Sequence, residues 1–208
     1  MKVLNIFKLG IVLALFAAAA CVMLAFVYSG TYEQIEENRA KALNDALKEL
    51  FHEADRFEEI TDITSPDSSV SIEVAYAAIK NDLPYGAALR TARASYSGPI
   101  KTIVGVNIDG YITGVKIMEH SDTPGLGANA ASPKYFVDRT NGITFYGQFT
   151  NKKTTDPFVV NDDIAVITSS TITSIAVSNS VKAAALAASA WFEGKEPDVI
   201  TGATRSAE

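Results

Sequence analysis

From Leu9 to Tyr28 the chain runs without a charge through L-G-I-V-L-A-L-F-A-A-A-A-C-V-M-L-A-F-V-Y. As a helix this run spans a hydrocarbon core of about 30 Å. Lys2 and Lys8 precede it, and Glu33, Glu36 and Glu37 follow. The positive-inside rule therefore sets 1–8 in the cytoplasm, 9–28 across the membrane and the remainder outside. A cleaved signal peptide competes, because the alanine run before Cys21 offers a cleavage point. The apolar run exceeds the usual core of such a peptide and continues through Phe26, Val27 and Tyr28, which favours a retained anchor.

After the anchor the period changes. Ile35, Ala42, Leu43, Ala46, Leu47, Leu50 and Phe51 recur at helical spacing, with charged residues between them, so Thr31–Phe51 reads as an amphipathic helix. Packing on its own domain is the favoured use of that face; docking on another subunit is the alternative. Ala54–Glu73 is polar and broken by Pro66, a loop signal, and Val74–Ile79 fits either a strand or a helical turn. We take 29–86 as a helical linker and the first part of the soluble domain.

A soluble domain proper is expected over 87–194. Ile100–Ile108 and Tyr111–Met118 alternate and are rich in β-branched residues, with the hairpin signal Asp109-Gly110 between them. Ser132–Val137 reads as a short helix start with Pro133 in its first position. Ile143–Phe149 reads as an aromatic-rich strand. Ile164–Val177 reads as a strand end, a tight hydroxyl-rich turn and a helix N-terminus. Ile175–Phe192 continues as an alanine-rich helix closed by Gly194, with Trp191 and Phe192 as packing residues. The expected fold class is α+β: one N-terminal transmembrane helix, a twisted and mostly antiparallel sheet, and a tail over 195–208.

The whole chain has 208 residues, enough for one membrane element and one domain of about 100–170 residues. Its formal net charge of −6 argues against a nucleic-acid partner. The single cysteine, Cys21, excludes a disulfide or a multi-cysteine metal site within the chain.

Two segments carry candidate chemistry. Thr168, Ser169, Ser170, Thr171, Thr173 and Ser174 crowd a helix start, where backbone N–H groups without helical partners suit a phosphate. Thr123-Pro124-Gly125-Leu126-Gly127 forms a loop whose backbone can approach a flat ligand closely. Each is common alone; their order behind one anchor is more specific.

These pieces, with Tyr96-Ser97-Gly98, the Val104–Gly110 hairpin and His120 ahead of the loop, resemble the G subunit of Rnf ion-translocating ferredoxin:NAD oxidoreductase complexes. That family is kin to the C subunit of sodium-pumping NADH:quinone reductases. The resemblance implies an extracytoplasmic FMN-binding domain. It also implies FMN held covalently, by a phosphodiester to a threonine in a pattern like Asp-x-x-Ser/Thr-Gly-Ala-Thr. A flavin transferase outside the membrane would install it. The implied role is an electron-transfer subunit beside other membrane subunits, with coupling to Na⁺ or H⁺.

On that reading Leu126, Gly127 and the backbone around Gly125 line the flavin, and Thr173 and Ser174 donate to its phosphate. His120 is a further candidate to approach it, although a solvated loop histidine is the favoured alternative. The pattern is degenerate around Thr171: Ala165, Ser169 and Ser170 stand where it has aspartate, glycine and alanine, and Asp122 replaces the loop's usual glutamate. Asp198, Thr201, Gly202, Ala203 and Thr204 match it at every position. Thr171 is preferred as the covalent site by its place before the helix, and Thr204 is its rival. A free-standing anchored flavoprotein and a non-redox binding module on the same fold are the alternatives in function.

Overall fold

The structure, a computed structural model, describes residues 2–194. The chain divides into two compact units, residues 1–44 and residues 45 onward. One helix, α1, runs over Lys2–Leu50. The anchor and the amphipathic segment are thus one element. Ser29 and Gly30 do not interrupt it, and the hydroxyls of Ser29 and Thr31 are satisfied by bonding back to the carbonyls of Phe26 (3.1 Å) and Val27 (2.9 Å). Its best membrane-spanning window has a mean hydropathy of 2.7 and buries nothing inside the protein. Exposed side chains such as Leu13, Phe16 and Phe26 are suited to lipid.

The second unit is an antiparallel meander in the order β1-β2-β3-β4-β5, formed by β1 (Arg56–Ile60), β2 (Val70–Lys80), β3 (Leu83–Ala94), β4 (Pro99–Asn107) and β5 (Ile112–Glu119). The expected hairpin is β4–β5, turning at Gly110 with φ +78°. Val74–Ile79 lies within β2, which resolves its ambiguity in favour of a strand. β1 falls in a segment expected to be loop. Its Arg-Phe-Glu-Glu-Ile sequence is charged because it is an edge strand, half open to water. Residues 86 and 87, where the sequence pattern changes, both lie inside β3.

One face of the sheet is covered by α2 (Thr171–Glu193). Leu89, Ile100, Val104 and Val106 meet Ala176, Val177, Val181, Ala184 and Ala188 there, and the alanines let the helix come close. Phe145, Phe149 and Phe158 extend this core. Trp191 and Phe192 pack against it, as expected. On the other face the last turn of α1 brings Leu50 and Phe51 over Gly86, Gly105 and Gly114.

Three expected elements differ. Ser132–Val137 forms no helix; Ser132 is extended (φ −79°, ψ 121°), as a residue before a proline is, and the residues after Pro133 turn and then extend into a strand. A 3-10 turn at Gly127–Ala131 precedes it, and β6 (Phe136–Asp138) pairs with β7 (Ile143–Thr144) after it. The strand expected over Ile143–Phe149 ends at Thr144, because Gly147–Phe149 turns back as a 3-10 helix. Ahead of α2 there is one isolated bridge, Val160 to Ile164, rather than a strand. α2 itself begins at Thr171, four residues before the expected start.

Candidate flavin site

The turn before α2 is held by its own hydroxyls. Ser170 N–H donates to the Ile167 carbonyl (2.9 Å). Ser174 Oγ donates to the Ser170 carbonyl (3.0 Å) and accepts from Ile167 N–H (3.0 Å). Between them Ser169 takes φ +61°, a left-handed conformation that costs a side chain but not glycine. The serine thus stands where the resembled pattern has glycine and keeps a conformation suited to glycine. Ser169→Gly is expected to raise stability by about 0.5–1 kcal/mol, read as a higher thermal midpoint of the full chain in detergent. Ser170 is the N-cap of α2 and makes no side-chain capping bond, so the N–H groups of the first turn are left for another acceptor.

The Thr123–Gly127 loop is a closed turn. Leu126 and Ala128 N–H both donate to the Thr123 carbonyl, Asn129 Nδ2 donates to the Gly125 carbonyl (2.9 Å), and Gly125 has φ +78°. Gly127 lies against the start of α2. A Cβ on it would stand 2.6 Å from Thr173 Oγ1 and 2.7 Å from Asp122 Cβ. No side chain fits there.

Loop and turn enclose a cavity of about 530 Å³. Thr123, Leu126 and Gly127 form one wall, and Ser169, Ser170, Thr171 and Thr173 form the other; Tyr96, Asp122 and Ile172 complete it. Thr171 is exposed at the mouth as the first helical residue. The size is that of a small-ligand pocket. Apolar Leu126 and Ile172, both partly exposed, stand beside hydroxyls and uncapped N–H groups. A flat apolar ring carrying a phosphate matches this set, so the residues fit FMN.

The remaining expected residues are placed as follows around the cavity. Thr173 and Ser174 were expected to donate to a phosphate. Each hydroxyl has one hydrogen, and these go to Asp122 Oδ2 (2.8 Å) and the Ser170 carbonyl. Thr168 is anchored through its N–H to the Tyr135 hydroxyl, and Pro124 and Gly125 lie exposed at the loop apex. His120 is half-buried outside the cavity wall, and its Nδ1 is buried without a hydrogen-bond partner among the described residues. Thr204 lies outside the described residues.

Sequence reasoning missed Tyr96, Ile172 and the polar knot behind the wall. Asp122, buried, accepts from Ser95 Oγ (2.7 Å), Thr173 Oγ1 (2.8 Å) and Ser97 N–H (3.0 Å). Burial pushes this carboxyl up, but those hydrogen bonds and the nearby His120 outweigh it and hold it below the usual aspartate range. The available signals were Tyr96-Ser97-Gly98 feeding β4 and an apolar residue in the first turn of a helix.

Residues 95–186 match the family model of the FMN-binding domain, and residues 1–50 match that of the RnfG N-terminal region. The chain is 31% identical over 193 residues to the G subunit of the Na(+)-translocating ferredoxin:NAD(+) oxidoreductase complex of Acetobacterium woodii, covering 85% of this chain and 88% of that relative. It is 30% identical to the G subunit of the proton-translocating ferredoxin:NAD(+) oxidoreductase complex of Clostridium ljungdahlii, covering 84% and 86%. It is 27% identical to the G subunit of the ion-translocating oxidoreductase complex of Methanosarcina acetivorans, covering 86% and 93%. An apolar N-terminal helix, an antiparallel sheet backed by one helix, and these matches along nearly the whole chain place the protein in the G-subunit family of Rnf-type ion-translocating oxidoreductase complexes.

Proposed function

We propose that this chain is the FMN-carrying electron-transfer subunit of a membrane-bound ferredoxin:NAD oxidoreductase complex that couples electron flow to Na⁺ or H⁺ transport. The observation that carries the reading is the convergence of the Thr123–Gly127 loop and the start of α2 on one cavity, with Thr171 exposed at its mouth. The hydroxyl of Thr171 is the preferred acceptor of a covalent phosphodiester to FMN. It sits at the first residue of a 23-residue helix, where the end of the helix dipole favours a phosphate.

Held there, FMN supplies one- and two-electron transfer. The protein's part is placement. Leu126 and Ile172 offer apolar surface to the ring. Gly127 admits the backbone at close range. The first-turn N–H groups with Ser169 and Ser170 receive the phosphate. No side chain is assigned a bond-making step, so the chain is a relay and depends on neighbouring membrane subunits for donor and acceptor. Lys2 and Lys8 support a cytoplasmic N-terminus, which leaves the flavin domain outside, within reach of a flavin transferase.

Mass spectrometry of the purified chain tests the assignment. A flavin-phosphate mass is expected on the peptide containing Thr171 and is expected to vanish in Thr171→Val. The same mass on the Thr204 peptide alone would move the anchor to the tail. A denatured chain without flavin fluorescence in a gel would remove covalent attachment from the proposal.

A further inference from the structure

We infer that Asp122 is a positioning residue of the flavin site, one that ties the first turn of α2 to the loop and keeps a negative charge in the cavity wall that holds the flavin's reduction potential down. The inference rests on the FMN reading above.

The knot joins parts of the chain that are far apart in sequence. Ser95 follows the last residue of β3, Ser97 sits in the β3–β4 turn, Asp122 opens the loop and Thr173 lies in the first turn of α2. All three donors converge on the one carboxylate, and Ser95 Oγ also lies 3.3 Å from Thr173 Oγ1. The missing side chain at Gly127 leaves the space in which Asp122 and Thr173 meet. Asp122 is therefore the point through which the loop wall and the helix wall of the cavity are held at a fixed separation.

The carboxylate is 5% exposed and lines the cavity. Three donors to a carboxylate stabilise its charged form, so it stays ionised at neutral pH. Among the described residues no arginine or lysine lines the cavity, and His120 is the nearby group able to carry the opposite charge. Each electron entering a ring in this cavity adds negative charge. A fixed anion in a wall shielded from water opposes that more strongly than a solvated one. Reduction becomes harder, and the potential falls.

Redox potentiometry of the full-length, flavin-loaded chain in detergent, with dithionite and reference dyes, reads the effect. Asp122→Asn is expected to raise the midpoint potential, and Asp122→Glu, which restores the charge, to bring it back toward the native value. Ser95→Ala removes one donor and leaves the charge, so it is expected to lower the thermal midpoint while the potential stays level or drops. An unchanged potential in Asp122→Asn, or a rise in Ser95→Ala, overturns the inference. If Asp122→Asn acquires no flavin, the positioning role is supported and Ser95→Asp, which sets a second carboxylate at the same place, tests the charge: a lower potential supports it and an unchanged one overturns it. A native chain that carries no flavin is a separate outcome, which defeats the FMN reading itself.

Discussion

Replacing Gly127 with alanine is expected to keep the flavin from being installed on the protein while the sheet and α2 still form. The added methyl would lie 2.6 Å from Thr173 Oγ1 and 2.8 Å from Asp122 Oδ2. Neither neighbour has room to yield. Thr173 is 1% exposed in the first turn of α2, and Asp122 is held by three donors. The methyl therefore has to push the loop away from the helix, which widens the cavity and breaks the knot. Overpacking of this kind costs about 1–3 kcal/mol, which a domain of this size survives. Loss of at least ninety percent of in-gel flavin fluorescence, about tenfold, with an unchanged far-ultraviolet dichroism spectrum, is the expected pair of readings. Gly142→Ala is the control. Gly142 also has a positive φ (+68°), but a Cβ there meets nothing within 4 Å, so it adds backbone strain and leaves the site alone. Equal flavin content in the Gly127 variant and the native chain would mean that the close approach of the loop to α2 is not needed to install the flavin.

The largest loss of stability is expected from Phe51→Ala. Phe51 is 3% exposed and stands edge-on to Tyr85, with ring centroids 5.6 Å apart. It fills the space left by Gly86, where a Cβ would come within 2.2 Å of the Phe51 ring. Leu50 does the same beside Gly114, with a Cβ contact of 2.9 Å. The sheet carries glycine in three adjacent strands because the end of α1 needs that floor. Emptying the site forfeits the ring's transfer energy and leaves a void, at about 3–5 kcal/mol. For a chain of this length that lowers the thermal midpoint by roughly 10 °C, measurable by scanning calorimetry in detergent. Gly86→Val is expected to be damaging for the opposite reason. The pair together should be milder than the sum of the two, since valine partly occupies the space that phenylalanine vacates. Strict additivity would show that the two positions do not meet.

Parts of the fold with a strong local period were legible in the sequence. The β4–β5 hairpin declares itself by alternation around Asp109-Gly110, and α2 by its uninterrupted alanine-rich run. β1 was hidden because an edge strand carries charges, and its pairing with β2 is not a local property. Around Pro133 the residue types fit a helix start, but Phe136–Asp138 pairs with Ile143–Thr144, a partner no local window reveals. The site divides in the same way. Its loop and its turn are contiguous stretches, so composition points to both. The Ser95–Asp122–Thr173 knot joins residues 27, 51 and 78 positions apart, and no window along the chain contains it. The hydroxyl run also gave no sign of how its hydrogens would be shared. Thr173 and Ser174 look equivalent to Thr171 in sequence, yet their hydrogens are committed inside the protein.

Ser169 has a consequence for recognising such sites elsewhere. Its φ of +61° gives a serine the backbone path that glycine adopts cheaply. The surrounding bonds, Ile167 to Ser174 and Ser174 to Ser170, over-determine it. A search that spells out residues discards this turn, whereas a search on torsion angles retains it. A torsion angle can thus mark such a turn where the residue letters do not.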